Sequence, residues 1–445
     1  MAGLSSSAAL IQPAFDPIER QPCGTPAAHC ARRGGSSRFS QLISVQTFEL
    51  PAEAVDPKLT GVNMKIVTQF FLCAALTLGS GPALAAGKYI AYVGTYTSGP
   101  GGSPGNSKGI YALQADGKGH FKTLGLQAEV ADPSFLATDS THHFLYAATE
   151  RGRPSGFLNS YAIDPATGAL RFLNRVPSNG TSTAHLTVDQ TKHWLLVANY
   201  GSGSVASFAL KSEGSIGEMV DFHQHSGSSV NPHRQMGPHP HEAVLSPDNR
   251  FLLVPDLGLD KVFVYALDSA TGKLTLASTT DTRPGFGPRH MLFGKGGKFA
   301  YVLGEMSSAV AVMSYDKKTG KLTLVENIDT IPPQLTVENN SAELALSNDG
   351  QFLYATNRGH DSVTVFKVSA ANGKLTNVQN IPTRGRIPRG MSLDPDGTHL
   401  LTGNQDSGTV TVFDRNKSTG RLSDGEMLDV PSPVCILFVP LDGAQ

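Results

Sequence analysis

Three observations predict that this 445-residue chain is an all-β protein made of one unit repeated seven times. A similar hydrophobic segment recurs every 47 to 57 residues, and turn residues stand at fixed offsets from it. Charged residues are sparse, at 16% against about 25% in an average globular chain. The 47 glycines and 28 prolines supply turns in number. This composition argues against long charged helices and coiled coil. A net charge of −1 builds no broad basic field, so nucleic acid is not an expected partner.

The first 85 residues stand outside the repeat. Met64–Ala86 reads MKIVTQFFLCAALTLGSGPALAA: one positive charge, Lys65, then an apolar run from Ile66 to Leu78, then the small-residue pattern Ala83-Leu84-Ala85. Residues 64–85 are read as a secretory signal peptide, too short in its apolar run to be a membrane span. Residues 1–63, rich in Ser, Ala, Gly and Pro, are read as an unstructured extension or as a start assigned too far upstream. A periplasmic or secreted protein, with no membrane span after cleavage, is expected. Cys23, Cys30 and Cys73 fall in these segments, so Cys435 is left alone and no intrachain disulfide can form.

The repeat occupies residues 86–445. Its copies are YIAYVGTY (89–96), FLYAATE (144–150), WLLVANY (194–200), FLLVPDL (251–257), FAYVLGE (299–305), FLYATNR (352–358) and HLLTGNQ (399–405). Polar turns precede them, among them Ser246-Pro247-Asp248-Asn249 and Asp394-Pro395-Asp396-Gly397. Six residues separate Asn199 from Val205, Asp256 from Val262, Gly304 from Val310, Asn357 from Val363 and Asn404 from Val410. Asn, Asp and Gly suit that corner because they tolerate left-handed backbone or bond their own chain. Asp256 and Asp260 are therefore read as turn residues. Alternating strands follow, VFVYALD, VAVMSYD, VTVFKVS and VTVFDRN, then Thr-Gly hairpin turns and a fourth strand. Each repeat is thus four antiparallel strands, and seven packed radially bury what one sheet alone cannot. The prediction is a seven-bladed β-propeller. Pro431–Val439 resembles the inner strand that the first copy lacks, and is expected to close the ring by pairing with the strand near Tyr89.

Two columns of the repeat are expected to converge on the central channel. The first holds Ser134, His185, His241, Arg289, Glu343, Arg389 and Cys435; the second holds Glu150, Tyr200, Leu257, Glu305, Arg358 and Gln405. A purely structural repeat would keep such positions alike. These differ, and charge in a narrow channel is unfavourable unless paired or used.

The stretch Arg234-Gln235-Met236-Gly237-Pro238-His239-Pro240-His241 resembles the hallmark of the seven-bladed propeller lactonases, a family that includes 6-phosphogluconolactonases of the propeller type and carboxy-muconate cyclases. YVGTYTSG (92–99), VANYGSGSV (197–205), GPRHMLF (287–293), TNRGHDSV (356–363) and PSPVCI (431–436) extend the resemblance from about Lys88 to Pro440. It implies a catalytic quartet of His241, Arg289, Glu305 and Arg358. His185 and Arg389, from the first column, are further channel candidates, for substrate binding. His239 is read as structural.

Lactone hydrolysis must activate a water and stabilise an oxyanion. Arg289 and Arg358 could hold an anionic group and polarise the carbonyl, while Glu305 or His241 could deprotonate the water. The same groups suit a cyclase acting on a muconate-type acid, and a propeller can also be a non-catalytic binding scaffold. No spacing points to a metal, no cofactor is expected, and there is no nucleophile elbow or P-loop. A monomer acting on a small lactone or an anionic sugar acid is the expectation. Export gives a first check: the intact mass of the exported protein should match a chain beginning at Ala86, and a mass retaining Met64–Ala85 contradicts the signal-peptide reading.

Overall fold

The chain divides into a unit of residues 1–79 and a unit of residues 80–445. The computed structural model describes residues 89–98, 106–116, 119–151, 156–335 and 337–441. Residues 1–63 and 64–85, read from the sequence as an extension or mis-assigned start and as a signal peptide, lie outside the described residues.

Among the described residues, 28 strands form seven four-stranded antiparallel sheets, the seven blades of a propeller. The hydrophobic segments read from the sequence are the second strands of their blades, from Phe144–Thr149 in blade 2 to His399–Asn404 in blade 7. The second strand of blade 4, Phe251–Asp256, is buried from end to end. Fourth strands such as Leu274–Asp281 alternate toward solvent. The C-terminal strand Pro433–Pro440 pairs antiparallel with Tyr89–Thr95, with Tyr89 opposite Pro440 and Gly94 opposite Cys435. Blade 1 is therefore built from both ends of the fold, and the ring closes as expected. No helix of the described residues is long and apolar enough to cross a membrane.

Local chemistry explains why the repeat reads as it does. The polar turn before five of the seven second strands begins with a side chain that accepts the first backbone N–H of that strand. Asp139 takes the N–H of Phe144, Asp189 that of Trp194, Ser246 that of Phe251, Ser347 that of Phe352 and Asp394 that of His399, at 2.8–3.0 Å. Of the two roles expected for the Asn/Asp/Gly corner, the structure shows the second. Its residues do not take left-handed backbone; that conformation falls four residues later, at Gly203, Asp260, Ser308, Asp361 and Gly408. The corner residues act through hydrogen bonds instead. Asn199 donates to the carbonyl of Ser178 at 3.3 Å, and Asn357 to that of Thr330 at 3.3 Å. Asp256 accepts the N–H of His239 at 2.7 Å and that of Gly258 at 3.0 Å, while Asp260 accepts those of Gly285 and Gly287 at 2.7 and 2.8 Å. Both aspartates thus organise turns.

Blades are locked to one another by a contact that recurs around the ring. The hairpin glycine between third and fourth strands packs on the first residue of the preceding blade's second strand: Gly272 on Trp194, Gly320 on Phe251, Gly373 on Phe299 and Gly420 on Phe352. A Cβ on Gly420 would lie 2.2 Å from the Phe352 ring, and its φ is +71°. A tyrosine of the preceding blade secures the same turn, Tyr354 donating to the Gly420 carbonyl at 2.9 Å and Tyr301 to that of Gly373 at 3.1 Å. Gly420→Ala combines overpacking with a strained φ and should destabilise the protein by about 2–3 kcal/mol, read as a lower urea midpoint. An unchanged midpoint would show that the blades do not depend on this contact.

Candidate active site

First strands of neighbouring blades touch, among them Pro388–Leu393 against both Asn340–Leu346 and Pro433–Pro440. Side chains from these strands and from the ends of the second strands meet in one cluster. Glu305, just beyond the second strand of blade 5, is its hub. Its Oε2 lies 2.9 Å from Nε of Arg289 and 3.1 Å from Nη2 of Arg358, and its Oε1 is 2.6 Å from Nη2 of Arg234. Burial works against a charge on Glu305, but Arg358, Arg289 and Arg234 together outweigh it and hold the carboxyl well below its usual range.

Each arginine is fixed by further contacts. Arg289, only 2% exposed, also donates to the carbonyl of Ala342. Arg358 donates from Nε to the carbonyl of Asn340 at 3.1 Å and from Nη2 to that of Ser341 at 3.3 Å. Burial pushes the Arg358 guanidinium down to about 10, with Glu305 opposing, which leaves it charged at neutral pH. Arg389 lies 3.4 Å from Oε2 of Glu150 and 5.1 Å over the ring of Tyr96, whose hydroxyl donates to the same Glu150 oxygen. Burial works against the charge of Arg389, and Tyr96, Glu150 and Glu305 overcome it. Arg234 also reaches the Tyr200 hydroxyl, at 3.4 Å.

His241 lies just ahead of the short first strand of blade 4, Val244–Leu245. Its ring meets those of Tyr200 and His290 edge-on, at 5.3 and 5.2 Å between centroids. Its Nδ1 is buried with no hydrogen-bond partner. Burial first, then Arg289, His290, Arg389 and Arg358, push its pKa well down, so the imidazole is neutral at neutral pH. His239 stacks on Tyr200 at 4.5 Å and bonds the Tyr200 carbonyl through Nδ1 at 2.9 Å, a structural placement as read from the sequence.

Of the six residues singled out from the sequence, Arg289, Glu305 and Arg358 are joined directly. Arg389 stands beside them on Glu150, and His241 lies within the field of all three arginines. His185 belongs to a neighbouring group instead: its Nε2 is 3.5 Å from Oε1 of Glu242, and its ring packs on Phe135 at 3.8 Å and His290 at 5.8 Å. Sequence reasoning missed Tyr96, Arg234, Glu242 and His290 as site residues. Tyr96 ends the loose first copy of the repeat and is the blade 1 counterpart of Glu150. Arg234 lies in the segment between Gln224 and Val244, outside the repeat register, and its only signal was the motif that ends at His241. Cys435 lines the same first-strand column, but burial pushes its thiol up to about 12, which makes it a poor nucleophile.

This arrangement defines a class. Residues 90–438 match the family described as "Lactonase, 7-bladed beta-propeller", and the chain belongs to that family. Its relatives narrow the comparison. It is 36% identical over 310 residues to a 6-phosphogluconolactonase of Bacillus subtilis, covering 69% of this chain and 86% of that one. A 6-phosphogluconolactonase of Formosa agariphila is 30% identical over 311 residues, covering 68% and 86% of the two chains. The solved structure of a periplasmic gluconolactonase of Pseudomonas aeruginosa superposes with a TM-score of 0.74 at 33% identity, over 79% of this chain and 99% of that one.

The geometry makes Glu305 a stability determinant. Its carboxyl has a lower pKa folded than unfolded, so its contribution is full above about 4.5 and is lost as pH falls further, toward the folded value. Glu305→Gln leaves three guanidiniums without their anion and should destabilise the protein by about 3–5 kcal/mol at neutral pH. The gap between the urea midpoints of the two proteins should begin to narrow below about pH 4.5 and still be open at about pH 3. Equal midpoints at neutral pH would contradict the pairing.

Proposed function

We propose that this protein hydrolyses a sugar lactone at the arginine–glutamate cluster, in the central channel of the propeller. One observation carries the reading: a neutral imidazole, His241, stands among guanidiniums that outnumber the carboxylates bound to them. Arg234, Arg289, Arg358 and Arg389 face Glu305 and Glu150. The excess positive charge favours an anionic ligand and an oxyanion. Membership of the lactonase family and the names of the relatives support the same reaction.

The geometry separates the roles. Glu305 is a weak base, because three guanidiniums hold its charge in place; it positions the arginines. His241 is the base. With Nδ1 sealed, Nε2 takes the proton from a water whose oxygen bonds to the lactone carbonyl carbon. Negative charge then gathers on the carbonyl oxygen. Arg358 keeps Nη1, and Arg389 keeps Nη1 and Nε, beyond the protein contacts described above, and these groups donate to that oxygen or to an anionic substituent. Arg289, sealed against Glu305 and Ala342, fixes the hub from behind. The ring C–O bond breaks, and the imidazolium returns its proton to the leaving oxygen. A periplasmic or secreted location fits the export segment and the relative named as periplasmic.

Purified protein should accelerate the loss of gluconolactone, of 6-phosphogluconolactone, or of both, with the ratio of the two reporting the phosphate preference. His241→Asn and Arg358→Ala should each lower kcat/KM at least about 100-fold. If wild type leaves both lactones at their spontaneous rates, the catalytic reading fails and a binding propeller takes its place.

A further inference from the structure

Beside the catalytic cluster lies a set of buried titratable groups that the proposed chemistry does not use. His290 follows Arg289 in the first strand of blade 5, and its side chain is 4% exposed. Its Nδ1 is 2.7 Å from Oε1 of Glu343, on the first strand of blade 6. Its Nε2 is buried with no hydrogen-bond partner, as is Nδ1 of His241. The two rings are 5.2 Å apart at 72°, edge to face. Two orphaned nitrogens of adjacent imidazoles, one of them on the proposed base, require an explanation.

We propose that Glu343 and His290 are positioning residues that set the tautomer of His241, through one water joining His241 Nδ1 to His290 Nε2. With Glu343 ionised, it accepts the Nδ1–H of His290. Nε2 of His290 is then bare and accepts from the water, and the water accepts the Nδ1–H of His241. That leaves Nε2 of His241 with its lone pair, as a base requires. With Glu343 protonated, every bond reverses. The carboxyl donates to Nδ1 of His290, Nε2–H donates to the water, and the water donates to Nδ1 of His241. The His241 proton then sits on Nε2 and no base is available. No net proton is created or lost along the chain; one proton added at Glu343 moves the proton of each imidazole from one nitrogen to the other.

The surroundings of Glu343 suit a switch near neutrality. Burial raises its pKa to about 7, with Arg289 and Arg389 opposing. The other groups facing it are His290 at 2.7 Å, Glu242 from blade 4 and Cys435 from blade 1. Burial and then Glu343 push Glu242 well up, and the Cys435 thiol stays protonated, so neither adds a charge at neutral pH. His185, between Phe135 and Glu242, is held neutral by burial, His290 and Arg289.

This inference rests on His241 being the base, and its test separates the two claims. In wild type, kcat/KM should rise with pH through an apparent pKa near 7. Glu343→Gln, whose amide does not titrate, should lose that limb, with KM little changed. A limb that persists unchanged in Glu343→Gln overturns the proposal, since a merely structural role would not move it. The second arm needs no activity. In protein labelled with ¹⁵N-histidine, His241 (assigned by loss in His241→Asn) should exchange its protonated nitrogen across the same pH range in wild type and not in Glu343→Gln. If its signals in wild type stay fixed, the proposal is overturned even where Glu343→Gln fails to fold. If they switch while no lactone is hydrolysed, the relay stands and the lactonase reading falls.

Discussion

The site depends on one carboxylate shared by three guanidiniums. Glu305 draws in Arg289 from the first strand of its own blade, Arg358 from the second strand of the next, and Arg234 from the segment that precedes blade 4. Three like charges brought this close repel one another, and only a central anion makes the grouping stable in a buried setting. The cluster can form only if neighbouring blades hold their relative positions. The glycine-on-aromatic contacts and the paired termini that lock the ring are therefore conditions of the chemistry as well as of the fold.

The same electrostatics underlies the proposed roles. A carboxylate gripped by three arginines has no affinity left for a proton, so Glu305 organises and does not act as base. An imidazole placed among those arginines is kept neutral, with its lone pair open to a water. The positive excess that lowers His241 also prepares the space for a developing oxyanion. In the proposed reaction one arrangement supplies both the base and the charge stabilisation that ester hydrolysis needs.

Most of the fold was legible because the repeat spaces its turn residues regularly. The caps Asp139, Asp189, Ser246, Ser347 and Asp394 explain the polar turns, and the second strands fall where the hydrophobic segments do. The corner was legible in position, and its mechanism only as one of two alternatives. Spacing shows where a turn is, yet not which of its residues carries the positive φ, and that one came four residues later. The site was legible where it breaks the repeat, hence Arg289, Glu305, Arg358 and Arg389. Arg234 was hidden because its segment belongs to no column. His290 was hidden because strand alternation turns only one of two consecutive residues inward. A register shift between Pro288 and Met291 brings both Arg289 and His290 into the interior.

The most direct test is a crystal structure of the protein bound to 6-phosphogluconate or gluconate, the hydrolysed products. The account predicts the product carboxylate on Arg358 and Arg389, with Nε2 of His241 within hydrogen-bond reach of one of its oxygens and Glu305 still bound by Arg289. A product held elsewhere on the propeller, or with His241 turned away from its carboxylate, would contradict it.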